Sequence, residues 1–214
     1  MKKLILKQET FKDFLSFQRS KDPLKDLDAV SEDVRNIISN VKLKGDEALL
    51  KYTKKFDNLN LLNINELIFN KDDMKQAYSQ LDKKKKESLS YLKERIKRFH
   101  ESIPLEGWYL KDEIFEKYGQ VSRPIKRVGL YAPGGNAIYP SSVLMTSVLA
   151  KIAGVKEILL SFPPSRSDLK ELMLASAYIG GVDEVVCLGG AQSIAAMTYG
   201  TDTIKKVDKI FGPG

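Results

Sequence analysis

The sequence predicts an α/β protein: a parallel sheet with helices on both faces, preceded by a mainly helical region with a short hairpin-like segment. Three observations predict it. From residue 128 onward, apolar runs at Val128 to Tyr131, Ile158 to Phe162, Val185 to Leu188 and Ile210-Phe211 alternate with helical-period segments at about 142–153, 168–179 and 192–200. That rhythm is the one of strands joined by crossover helices and covered on both faces. Each apolar run empties into a glycine or proline turn, at Pro133-Gly134-Gly135, Pro163-Pro164, Gly189-Gly190 and Gly212-Pro213-Gly214. The first hundred residues lack this rhythm and read as successive amphipathic helices.

Taken in order, Glu32 to Val41 is apolar at Val34, Ile37, Ile38 and Val41, a helix closed before Gly45. Asp46 starts the next, with Leu49, Leu50, Tyr52 and Phe56 on its apolar side and the polar turn Asp57-Asn58 as its end. Leu67-Ile68-Phe69 is a short extended piece before Asp72 opens a further helix, and a long basic helix runs from about Lys83 to His100. Between Trp108 and Val121 the pattern changes to short apolar pieces, including Ile114-Phe115, punctuated by Gly119, which reads as antiparallel strands closed by Arg123-Pro124.

The strand, glycine turn and helix from Val128 to Met145 form the stretch most suited to a ligand. Glycines let the backbone approach a ligand without a Cβ in the way, and a helix N-terminus presents unpaired N–H groups and partial positive charge, which suits a phosphate or carboxylate. Ser141 and Ser142 stand where caps of the apolar helix Val143, Leu144, Met145, Val148, Leu149, Ile152 are expected. The G-x-G-x-x-G spacing of a dinucleotide fingerprint is absent, so spacing alone leaves a plain tight turn and an anion site equally open. Ligands of such sheets bind beyond the carboxyl ends of the strands, which is where all four turns fall. Gln192, just inside a helix after Gly189-Gly190, can donate and accept toward a ligand there, or stand solvated in the first turn. Tyr131 ends the first strand, facing the rim or packing in the core.

Composition sets further bounds. With 214 residues, 43% of them hydrophobic, the chain makes one large or two small globular domains. No apolar run approaches the ~20 residues of a membrane helix, and the apolar stretch after Met1 is too short for a signal peptide. A single cysteine, Cys187, excludes an internal disulfide and fits a reducing, cytoplasmic compartment. It lies in an apolar strand and reads as a packing residue. The net charge of +7 belongs wholly to residues 1–127, because seven Lys and Arg balance seven Asp and Glu from Val128 onward. Much of it sits in Lys83-Lys84-Lys85-Lys86 and in Lys93, Arg95, Lys97 and Arg98, interleaved with Leu89, Leu92 and Ile96. That pattern is read as a solvated helix face, with a nucleic-acid stripe as the alternative.

Three blocks carry a resemblance. Y-A-P-G-G-N-A-I-Y-P-S-S-V-L-M from Tyr131 to Met145, G-G-A-Q-S-I-A-A from Gly189 to Ala196 and V-D-K-I-F-G-P-G from Val207 to Gly214 resemble histidinol dehydrogenase, in that family's order. The likeness is thinner but continuous upstream, through G-D-E-A-L-L-K-Y-T-K-K-F-D at Gly45 to Asp57. It implies an NAD-dependent oxidoreductase of histidine biosynthesis, which oxidises the alcohol of histidinol to the aldehyde and then to the acid, active as a homodimer. It also implies NAD contacts from Tyr131 and Gln192 and makes Ser141 a candidate for touching substrate or cofactor. Residues 128–214 are then expected to form an incomplete Rossmann-like NAD-binding domain, and residues 1–127 a basic helical part of a larger domain completed by further sequence.

The family also uses zinc and a Glu-His pair, and here the chain departs from it. Its only histidine is His100 on the basic helix, no cluster of zinc-favouring side chains can be assembled, and no catalytic residue is assigned. The resemblance places those blocks beyond Gly214, and places the family's NAD-contacting Asn directly after it. The expectation is therefore the amino-terminal part of a histidinol dehydrogenase, inactive by itself. The alternative is a non-catalytic module binding a nucleotide or nucleic acid.

Overall fold

The computed structural model describes residues 23–103, 106–111, 117–134, 137–164 and 167–213. Residues 1–22, Ile114 and Phe115 of the hairpin-like segment, and Gly135 and Gly214 of the rim turns lie outside the described residues.

A helical pair opens the described chain, α1 (Pro23–Lys44) and α2 (Asp46–Asp57). Gly45 between them has a φ of 51°, and its amide closes α1 by bonding the Val41 carbonyl at 2.9 Å. Val41, Ala48, Leu49 and Tyr52 are buried, so the two apolar stripes face one core. A turn of 3₁₀ helix at Ile64–Leu67 leads into β1 (Ile68–Phe69), after which Asn70 caps α3 (Lys71–Gln80) by accepting from the amides of Asp72 and Asp73 at 2.7 and 3.2 Å. The carboxylate of Asp73 accepts in return from the Asn70 amide at 2.8 Å, completing a capping box. Asp82 caps α4 (Lys83–Glu101) in the same way, accepting from the Lys85 amide at 2.8 Å.

The lysine-rich helix α4 turns Leu89, Leu92 and Ile96 inward. Its charges face solvent and pair locally, Lys83 with Glu87, Lys85 with Asp82 and Lys97 with Glu101. Such exposed pairs stabilise little. After it, β2 (Trp108–Lys111) and β3 (Lys117–Gln120) pair antiparallel, with every residue of both strands exposed.

The alternating region forms β4 (Arg127–Tyr131), α5 (Pro140–Ile152), β5 (Glu157–Ser161), α6 (Ser167–Gly180), β6 (Glu184–Val186), α7 (Gly190–Tyr199) and β7 (Lys209–Phe211). The five-stranded sheet runs β1-β6-β5-β4-β7. Its last four strands are parallel, as expected. The fifth is the short extended piece read at Leu67-Ile68-Phe69, whose place in this sheet was not read: β1 pairs antiparallel with β6, Ile68 opposite Val186 and Phe69 opposite Val185, so an element from before residue 128 completes the sheet edge. Two residues of strand carry no signal of their partner.

Side-chain alternation along β4 separates the two faces. A Cβ on Gly129 would meet Met197 of α7 at 2.7 Å, whereas Val128 and Leu130 point to the side of α5. Helices α5 and α6 share that side with α3 and α4, and α7 shares the opposite side with α1 and α2. The start of α5 differs from the sequence expectation. Its N-cap is Tyr139 with Pro140 in the first turn, and neither serine caps it. Proline's fixed φ and missing N–H make it a natural first helical residue, so it pre-empts the serines.

Beneath the sheet, at the amino ends of the strands, Arg127 reaches Glu157 at 2.7 Å and Glu184 at 3.0 Å, strapping β4, β5 and β6 together. Asp183 does the same for the helices. It accepts from the Ile158 amide at 2.9 Å and pairs with Lys71 of α3 at 2.7 Å and Lys151 of α5 at 3.1 Å. Burial pushes its carboxyl upward, but the two lysines and the amide outweigh that and hold it below the usual range. These ties fix the amino end of the sheet.

Candidate functional site

The strand order decides where a ligand fits. In chain order the four parallel strands lie third, second, first, fourth, so the path reverses direction between β4 and β7. Crossovers on the two sides of such a reversal lie on opposite faces, which opens a crevice beyond the carboxyl ends of those two strands. Tyr131 ends β4 and Gly212 follows β7 at that point.

Gly212 is forced by the approach of these two ends. A Cβ there would lie 2.4 Å from the Tyr131 carbonyl oxygen and 2.9 Å from its Cβ, so only glycine fits without shifting backbone. The next two turns close around Pro163, which stands 3.0 Å from a Cβ built on Gly134 and 2.8 Å from one on Gly189. Three of the four rim turns therefore gather at one end of the sheet through direct neighbours, and Tyr131 ties in the fourth.

The Tyr131 ring packs against the core, while its hydroxyl accepts from the Gly190 amide at 3.3 Å. The ring thus packs in the core, as one reading had it, while the hydroxyl sits at the rim beside Gly190. Gly190 begins α7 with a φ of 66°, a conformation that costs other residues roughly 1 to 2 kcal/mol. Gln192 folds back over it, its Oε1 2.6 Å from where a Gly190 Cβ would be. Gln192 is only 3% exposed, which removes the solvated first-turn alternative: its amide is held against the rim by packing. The N-cap of α7, Gly189, supplies no side-chain cap, and the first amide of the helix, that of Gly190, is taken by the Tyr131 hydroxyl.

Ser141 stands in the first turn of α5, half-buried. Among the described residues no hydrogen bond joins it to Tyr131 or Gln192. The structure brings together two of the three sequence candidates and leaves the third on a neighbouring helix start.

Two residues that support the site escaped sequence reading. The Ser161 hydroxyl donates to the Leu188 carbonyl at 2.6 Å and lies 2.5 Å from the Ser193 hydroxyl, both side chains fully buried. This pair pins the start of α7 to β5 and to the end of β6 just under Gly189-Gly190. The available signal was a serine inside the apolar run Ile158 to Phe162, because a buried hydroxyl must find a partner. Cys187, in the same layer, is buried, and burial pushes its thiol up to about 12. It is therefore a neutral packing group rather than a thiolate.

His100 lies on α4 with its ring edge-on to Phe99 at 5.1 Å, and among the described residues no three His, Cys, Asp or Glu side chains gather in a way that could hold a metal ion. The zinc expected from the resemblance has no donor set among them.

A doubly wound sheet with third-second-first-fourth strand order, glycine turns gathered at its carboxyl edge and a helix start without a side-chain cap beside them define a Rossmann-like α/β protein. Comparison with known proteins narrows this class. A sequence profile described as histidinol dehydrogenase matches residues 20–214. The histidinol dehydrogenase of Chromobacterium violaceum is 41% identical over 206 residues, covering 96% of this chain and 46% of that protein. The one from Neisseria meningitidis serogroup A is 39% identical over 218 residues, covering all of this chain and 50% of that protein. The crystal structure of histidinol dehydrogenase from Elizabethkingia anophelis superposes with a TM-score of 0.78 at 33% identity, over 86% of this chain and 42% of that one. The chain belongs to the histidinol dehydrogenase family, and it spans about half the length of the curated relatives it matches.

Proposed function

We propose that the chain forms the NAD-binding part of a histidinol dehydrogenase, acting in the two-step oxidation of histidinol. The observation that carries this reading is the convergence of Tyr131 and Gln192 on Gly190, at the carboxyl edge where the strand order reverses. NAD, when bound, supplies the hydride acceptor. The residues of this chain position it. The amino-terminal end of α7 and its dipole favour a phosphate group, the Tyr131 hydroxyl and Gln192 amide offer polar partners to the rest of the nucleotide, and Gly212 lets the ends of β4 and β7 approach.

Ser141, one helix start away, is proposed to approach the substrate. The homodimer, the cytoplasmic setting and a substrate held through zinc belong to the same proposal for the whole protein, but no step is derived through zinc because the described residues offer no ligands for it. Proton transfer is worth typically 10²- to 10⁴-fold in rate, and no residue of this chain is assigned to it. Residues 1–214 alone are therefore expected to bind NAD weakly and to leave histidinol unoxidised.

Calorimetric titration of residues 1–214 with NAD tests the proposal. The expected result is weak saturable binding, of roughly millimolar strength, that Gln192→Ala weakens by about two- to tenfold, the worth of one hydrogen bond. Absence of binding, or binding indifferent to Gln192→Ala, would reject it.

A further inference from the structure

Helix α7 carries Gln192 in its first turn, and the polar ties that hold its start are few among the described residues. Gly189 supplies no side-chain cap, and the Tyr131 hydroxyl meets the Gly190 amide at a long 3.3 Å. The side chains buried further along, Ala195, Ala196 and Met197, are small or pliable and resist rotation of the helix weakly. The short tie is the one through Ser193. Its hydroxyl lies 2.5 Å from that of Ser161, which donates to the Leu188 carbonyl at 2.6 Å. A serine hydroxyl carries one proton, and Ser161 has given its proton to Leu188, so the proton between the two hydroxyls is that of Ser193. Helix α7 therefore donates into the end of β5, and β5 donates into the turn that precedes α7. Ser193 gives up the bond to the carbonyl four residues back that helical hydroxyls often make, as Thr198 of the same helix makes to Ile194 at 2.7 Å. Strand β5 is a firm reference for this tie. It pairs with β4 on one side and β6 on the other, Ser161 is fully buried, and the Phe162 amide donates to the Val186 carbonyl at 3.3 Å.

We propose that Ser161 and Ser193 are positioning residues of the nucleotide site: the hydroxyl pair sets the rotation of α7 about its axis and thereby the place of the Gln192 side chain. The leverage is geometric. Gln192 precedes Ser193 by one residue, about 100° around the helix, so one meets Gly190 at the rim while the other is locked inward. A side chain reaches roughly 5 to 6 Å from a helix axis, and a rotation of about 10° carries its end about 1 Å, enough to spoil a hydrogen bond to a ligand. Neither serine is exposed, so neither touches the ligand itself. Because the pair acts through Gln192, its loss can cost no more affinity than the loss of Gln192. The proposal rests on the NAD reading only for this effect on affinity; the placing of Gln192 stands without it.

The test is a double-mutant cycle in residues 1–214, read by NAD calorimetry and by the side-chain amide resonances of Gln192 without ligand. Ser193→Ala is expected to move those resonances and to weaken NAD binding by about two- to tenfold. In the Gln192→Ala background the same change should alter affinity by less than about twofold, because the group it positions is gone. Ser161→Ala should match Ser193→Ala in affinity and exceed it in lost stability, since it also strips the Leu188 carbonyl of its hydroxyl partner. As a control, Arg127→Met loosens the sheet from its opposite end and should lower the melting temperature while leaving both readouts unchanged. Unmoved Gln192 resonances in Ser193→Ala, equal weakening with and without Gln192, or equal weakening by Arg127→Met would overturn the inference. If Ser161→Ala does not fold, Ser193→Ala decides alone. If the unaltered chain binds no NAD, the NAD reading falls by itself, and the ligand-free resonances of Gln192 still decide whether the serines place it.

Discussion

Gly190→Ala separates the support of the site from its use. The perturbation has three parts. A φ of 66° is imposed on a residue with a Cβ, at a cost of roughly 1 to 2 kcal/mol. The new Cβ would sit 2.6 Å from Gln192 Oε1 and 3.2 Å from its Cδ and Nε2. Ordinary contact begins near 3.4 Å, so the side-chain amide must move, and at this depth it has few places to go. Finally, the amide that donates to Tyr131 at 3.3 Å is disturbed, a hydrogen bond worth about 0.5 to 1.5 kcal/mol. Together these predict a loss of roughly 1 to 3 kcal/mol, and at about 2 to 4 °C per kcal/mol for a chain of this size the melting temperature falls by roughly 2 to 12 °C. NAD affinity should fall at least as far as in Gln192→Ala. Thermal unfolding by circular dichroism and NAD calorimetry on the same preparation decide it. A stability loss of the expected size with unchanged NAD affinity would refute the role given to Gln192, and an unchanged melting temperature would refute the account of Gly190 itself.

Asp183→Asn removes the charge held by Lys71 and Lys151, and a loss of about 1 to 2 kcal/mol is expected. Because the folded carboxyl lies below its ordinary value of 3.8, that contribution is fully present above it and disappears as pH falls through the lower folded value. The gap in melting temperature between the two proteins should be constant from neutral pH down to about 5 and close in stronger acid. Cys187, with its thiol pushed up to about 12 from 9.0, should react with a thiol reagent at pH 8 roughly a thousandfold more slowly than an ordinary cysteine, and at the ordinary rate once unfolded in denaturant. Arg127→Met cuts the strap to Glu157 and Glu184; since both carboxylates keep solvent access, unfolding in urea should show a loss of about 2 kcal/mol, well short of a fully buried pair.

The parallel strands were legible because each is a short apolar run ending at a glycine or proline, a signal that depends only on neighbouring residues. Helices α2 and α4 were legible for the same reason, their ends marked by Asp46 and Asp57 and by the lysine run. Helix α1 extends beyond the expected 32–41 to Pro23–Lys44, since good helix formers such as Lys42 and Lys44 prolong it without adding to the apolar stripe. What depends on distant pairing was not legible. The edge partner of Ile68-Phe69 and the Ser193 partner of Ser161 follow from packing that no local pattern reports, whereas Pro140 as the first helical residue was a local signal that the serines obscured. At the site, Tyr131 and Gln192 came from the family's motif blocks; their meeting over Gly190 is a property of the folded sheet, as is the burial of Gln192.

Mapping NAD onto the chain by amide chemical shifts tests the central claim most directly. The account predicts that titration with NAD moves the amides of Ala132, Gly190, Ala191, Gln192 and Gly212 at the carboxyl edge of the sheet, while those around Arg127, Asp183 and Leu149 stay still. Shifts centred on Leu149 or on the lysines of α4, with the Gly190 region unmoved, would contradict it.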